Sequence, residues 1–85
     1  MTLAVARMKR GQPRFFDGRY CVGEAGLSLL KPLTTGAPEK ARTYSDDDRI
    51  VAQLVVDFLN VLDGIHTGER TQPWIIMPLP EAWTS

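Results

Sequence analysis

The chain predicts an α+β fold, a small antiparallel sheet of about three to five strands packed on one long amphipathic helix. Three observations carry that expectation: a capped apolar pattern of helical period over residues 45–64, an Asp17-Gly18 pair between two aromatic runs, and short apolar stretches bounded by glycine and proline. Eighty-five residues make a single domain, 1–85, near the size at which one core suffices. The expected order is β-β-β-(β)-α-β. Strands and a hairpin fill 2–33, a loop 34–44, the main helix 45–64, an edge strand 74–77 and an extended tail 78–85.

The helix has marked ends. Ser45 suits the N-cap, accepting from the N–H of residue 47 or 48, with Asp48 reaching back; Asp46, Asp47 and Asp48 meet the positive end of the macrodipole. Asp63-Gly64 supplies the glycine that a left-handed C-terminal position favours. Placed at about 100° intervals, the residues from Ile50 through Leu54, Phe58, Val51, Val55 and Leu59 to Ala52 form an unbroken apolar arc of roughly 200°. Arg49, Asn60, Gln53 and Asp57 fill the polar arc, with Asp63 and Val56 at its border. A surface helix needs a stripe of only about 100°. Either the strands curl round this helix, or one flank packs on a second copy or a partner; the flank around Val55, Val56 and Leu59 is the expected homodimer face.

The strands follow from alternation and turn chemistry. Thr2 to Arg10 places Leu3 and Val5 on one side and Ala4, Ala6 and Met8 on the other. Gly11-Gln12-Pro13 turns the chain. Asp17-Gly18 between Arg14-Phe15-Phe16 and Arg19-Tyr20-Cys21-Val22 predicts a type I′ hairpin with Phe15 and Tyr20 on the core face and Phe16 beside Arg14, Arg19 and Cys21 on the wet one. Residues 23–26 read as a turn, and Leu27 to Leu33 as a strand ending near Pro32. Trp74 to Met77, between Pro73 and Pro78, reads as an edge strand, and the proline-rich tail leaves Trp83 folded back or offered to a partner.

Net charge is zero, but residues 1–19 carry +4 and residues 46–69 carry −5. The halves either attract each other or offer a docking surface. A lone cysteine, Cys21, and a start that is apolar before it is basic favour a cytoplasmic setting, and no apolar run approaches the length of a membrane span.

The chain carries no catalytic pattern. Consecutive aspartates at 46–48 fan out by about 100° each and do not converge on one ion. His66 follows Asp63 by three residues, with no nucleophile beside the pair, and Cys21 lacks a resolving partner. No phosphate-binding glycine loop, nucleophile elbow or zincin spacing occurs. No catalytic, cofactor or metal residue is assigned, and an enzyme is not expected.

Two binding readings remain. Arg7, Lys9, Arg10, Arg14 and Arg19 around Phe15, Phe16 and Tyr20 combine cations with stacking rings, which suits a nucleic-acid-binding module. The reading placed first is a small non-enzymatic protein that binds and modulates or inhibits a larger protein. Small phage-encoded accessory proteins share this size and composition, an analogy resting on no motif. Its contact residues are expected to be Arg7, Lys9, Arg10, Arg14, Phe16, Arg19, Trp74 and Trp83.

Overall fold

A computed structural model describes residues 1–23, 26–67 and 73–79. It is α+β: a five-stranded antiparallel sheet packed against one 19-residue helix. The strands are β1 (Thr2–Lys9), β2 (Gln12–Gly23), β3 (Gly26–Thr35), β4 (Thr43–Ser45) and β5 (Ile75–Leu79), and helix α1 spans Arg49–Thr67.

β1 is the central strand. β5 runs along one of its edges from Thr2↔Leu79 to Ala6↔Ile75. The other edge is shared end to end: β2 pairs with the C-terminal half, Ala6↔Phe15 to Lys9↔Gln12, and β4 with the N-terminal half, Ala4↔Thr43 to Thr2↔Ser45. β2 gives up the edge because it bends. Between the pairs Phe16↔Thr34 and Tyr20↔Pro32, β2 holds two residues more than β3, and this bulge carries Asp17, Gly18 and Arg19. Gly18 has φ 90°, and Asp17 Oδ1 accepts the Arg19 backbone N–H at 2.9 Å. At the junction the Arg42 N–H donates to the Phe16 carbonyl at 2.9 Å, joining the bent strand to the approach of β4.

This corrects the hairpin expectation. The tight turn is at Arg10-Gly11, where φ is 55° and 79° as a type I′ turn requires, and Asp17-Gly18 is a bulge inside one long strand. The faces change accordingly. Phe16 packs under the helix with Leu3, Val5, Tyr44 and Trp74, whereas Phe15 joins Ala4, Ala6 and Leu79 on the opposite face, against Ala41 and Met77. The alternation expected along β1 holds on both faces.

Other boundaries also move. β3 continues through Pro32 to Thr35, tolerable because β3 is an edge strand whose outer side needs no donor. The stretch expected as a loop, 34–44, contains the end of β3, a 3-10 turn at Pro38–Lys40 and the start of β4. The helix runs past Gly64 to Thr67, and its entry is a 3-10 turn at Asp46–Asp48. Ser45 caps no N–H there; its hydroxyl instead lies 3.4 Å from Asp48 Oδ2, to which it donates. β5 pairs only with β1 among the described residues, as an edge strand should, although it covers 75–79 and includes Pro78. The 23–26 turn and the tail with Trp83 fall on or across residues outside the described ones.

Candidate interaction surface

Helix α1 is apolar on two opposite sides. Ala52, Val56, Leu59 and Leu62 are buried on the sheet, with Val55 beside them. About half a turn away, Ile50 is 76% exposed, Leu54 63%, Val61 55%, Val51 47% and Phe58 45%. A helix of a two-layer domain ordinarily shows water its polar side. Here the outward side is a row of five large apolar residues.

The cause is a roll of the helix by roughly a quarter turn relative to the centre of its apolar arc. Two residues that read as solvent-facing are used inside. Asn60 Oδ1 accepts the Trp74 backbone N–H at 2.6 Å, and its amide donates to the Trp74 carbonyl at 3.4 Å. Asp63 Oδ2 accepts from Arg7 Nη1 at 2.7 Å and from the Trp74 indole N–H at 3.1 Å. The Arg7 guanidinium lies 5.5 Å from the Trp74 ring centroid. These bonds draw the Asn60 and Asp63 side of the helix toward β1 and β5 and turn the Leu54 side outward.

One aromatic ladder joins the two sides. Phe16 in the core stands 5.3 Å from the Tyr20 ring, and Tyr20 meets Phe58 edge-on at 6.0 Å. Burial, and then the Coulombic effect of Tyr44, raise the Tyr20 pKa above its ordinary value.

The expected contact residues are dispersed. Phe16 and Trp74 are buried, which removes them from the surface, and Val56 (5% exposed) and Leu59 (0%) lie against the sheet, so the expected homodimer face is the core face. Arg7 is committed to Asp63 and Trp74, and half-buried Arg14 donates to the Thr34 carbonyl and hydroxyl at 3.3 Å. Lys9 and Arg10 are exposed at the β1–β2 turn, whereas Arg19 sits at the bulge, paired at 3.0 Å with Asp17. Desolvation opposes ionisation of Asp17, but the side-chain and backbone hydrogen bonds from Arg19 and its charge together outweigh it and lower the pKa. Arg19 also lines a polar cleft with Asp17, Thr34, Thr35 and Lys40, and Arg42 covers Gly18 from the side. The sequence reading missed Lys40 and Arg42, because only the bulge brings their loop beside β2.

With Phe15 and Phe16 both buried, Tyr20 is the one of the three β2 rings left in reach of a base. Cys21 is exposed, and Asp63 faces Arg7 and Trp74; the side chain of His66 lies outside the described ones. Among the described residues no three His, Cys, Asp or Glu side chains group as metal ligands, and no helix is long and apolar enough to cross a membrane. Comparison with family models, with curated proteins and with solved structures finds no match.

Proposed function

We propose that the protein is a non-enzymatic interaction module that binds and modulates a larger protein through the outer face of α1. The observation that carries this reading is the apolar row Ile50, Val51, Leu54, Phe58 and Val61, opposite the core on a helix already satisfied by its own sheet. Burying five such side chains supplies the desolvated centre that a specific interface needs. The exposed cations Lys9, Arg10 and Arg19 add long-range attraction for an acidic target, which affects the association rate more than the lifetime.

The test is side-by-side capture from lysate of the source cells, with and without nuclease treatment, with tagged wild type, Leu54→Lys and Arg19→Glu. A near-stoichiometric protein held by wild type and by Arg19→Glu at low salt, and lost with Leu54→Lys, supports the reading. Capture indifferent to Leu54→Lys moves the contact off α1, and nuclease-sensitive material lost with Arg19→Glu would favour nucleic acid instead.

A further inference from the structure

We propose that, free of its target, the outer face of α1 pairs with the same face of a second copy, antiparallel and about a two-fold axis, giving a sheet–helix–helix–sheet sandwich. The inference rests on the reading of that face as the working surface and names its first occupant.

The spacing points to a helix as partner. Val51, Leu54, Phe58 and Val61 follow one another at three, four and three residues, the a and d positions of a heptad, which form a seam that fits another helix knob into hole. Ile50 widens the seam on one flank.

The seam is also complementary to itself. Turned end for end about the level of Val56, Val51 meets Val61 of the partner subunit and Leu54 meets Phe58 of the partner subunit, so small residues face small ones and large face large in four layers. Phe58 is already braced by Tyr20, so little side-chain freedom remains to be lost there. On the neighbouring flank, Gln53 Nε2 donates to Asp57 Oδ1 at 3.0 Å, which gives these two polar groups partners within their own helix.

Charge selects the antiparallel sense. A parallel pair would gather both Asp46–Asp48 triads at one end, six carboxylates together. The antiparallel pair holds the triads about 27 Å apart along the axis, beyond the Debye length of about 8 Å at physiological salt. The chain as a whole has zero net charge, so two copies do not repel in bulk. The exposed parts of the five side chains amount to roughly 500 Å² per copy, or about 1,000 Å² across the two-fold, which reaches the lower bound for a specific interface. Self-pairing and target binding use one face and exclude each other.

Sedimentation equilibrium of the full chain over the micromolar range is the first measurement. The expected mass is twice the 9.5 kDa chain. Leu54→Lys should weaken association at least ~100-fold and melt at a temperature that no longer depends on protein concentration, as a folded monomer does; Phe58→Lys should weaken association as much and also lose the Tyr20 ring contact. Orientation is read in a Cys21→Ser background, mixing chains that carry Leu54→Cys with chains that carry Phe58→Cys under a glutathione redox buffer. A disulfide that forms in the mixture, and in neither chain alone, supports the antiparallel register; disulfides in each chain alone overturn it. A dimer untouched by both lysines overturns the seam. If wild type is a monomer, self-pairing is wrong. The reading beneath it survives if capture of a larger protein still depends on Leu54, and falls with it if capture does not.

Discussion

At single positions the backbone explains where this chain turns and where it only bends. Arg10 has φ 55° in front of Gly11 at 79°, a conformation that costs a residue with a Cβ about 1–2 kcal/mol. Asparagine occupies that region more readily and is the preferred first residue of a type I′ turn. Arg10→Asn should therefore stabilise the fold by about 0.5–1 kcal/mol in urea unfolding. Gly18→Ala should cost about 1–2 kcal/mol, through φ 90° more than through crowding, since the added Cβ would meet only the Arg42 side chain at 3.4 Å. The phenol of Tyr20 sets a pH dependence. Its folded pKa is raised by burial and by Tyr44, so the folded state holds the proton more tightly than the unfolded chain. That contribution is complete below the unfolded value of 10.0 and is lost as pH rises above it through the folded value. The urea midpoint should fall on the alkaline side of 10.0, and Tyr20→Phe should flatten the fall; an equal slope in both proteins would show that Tyr20 is not its source.

At the scale of the element, the two faces of α1 should respond oppositely to the same change. Leu59 is fully buried, so Leu59→Ala should cost about 2–5 kcal/mol, and Val56→Lys should leave little folded protein at all, since it would bury an unpaired ammonium. Lysine at Leu54 should leave the fold intact and lower the thermal transition only by what self-association adds to wild type, a difference that vanishes on dilution. Circular dichroism melting of the three variants decides it: equal losses at 54 and 56 would mean that the outer face belongs to the core after all. The helix itself was legible in the sequence because its period and its acidic start are local signals. Its rotation was not, because that depends on Asn60 and Asp63 bonding to Trp74, which is 14 and 11 residues further along the chain. The Asp17-Gly18 signal misled for a related reason. It states that the backbone can reach positive φ, and a turn and a bulge share that need; β3 pairing on both sides of the pair makes it a bulge. A turn was expected nearby, at Gly11-Gln12-Pro13, but its centre at Arg10-Gly11 was not, because arginine seldom takes positive φ; Gln12 and Pro13 already pair in β2. The candidate face was half legible: the arc was visibly too wide for one core, but the excess was assigned to Val55, Val56 and Leu59 when it lies at Ile50, Leu54, Phe58 and Val61.

Across the whole molecule, the charge asymmetry of the sequence resolves into particular bonds that close the fold. The N-terminal ammonium lies 2.9 Å from Asp46 Oδ2, and Arg7 in β1 reaches Asp63 near the end of α1, 56 residues away. The first pair is largely exposed and is expected to contribute about 0–1 kcal/mol. The second is different in kind. Its side chains are only 29% and 15% exposed, and the same carboxylate oxygen accepts the Trp74 indole, so β1, α1 and the entry to β5 meet at one atom. Removing Asp63 leaves a part-buried guanidinium and an indole N–H short of a partner, a loss of about 2–3 kcal/mol, whereas Asp63→Asn retains an acceptor and should lose less. The strict test is a double-mutant cycle. If Arg7 acts through Asp63, the losses for Arg7→Ala and Asp63→Ala should sum to more than the loss in the double variant, by about 0.5–3 kcal/mol. Additive losses would mean that Arg7 contributes by lying over the Trp74 ring, with its ion pair worth no more than a surface one.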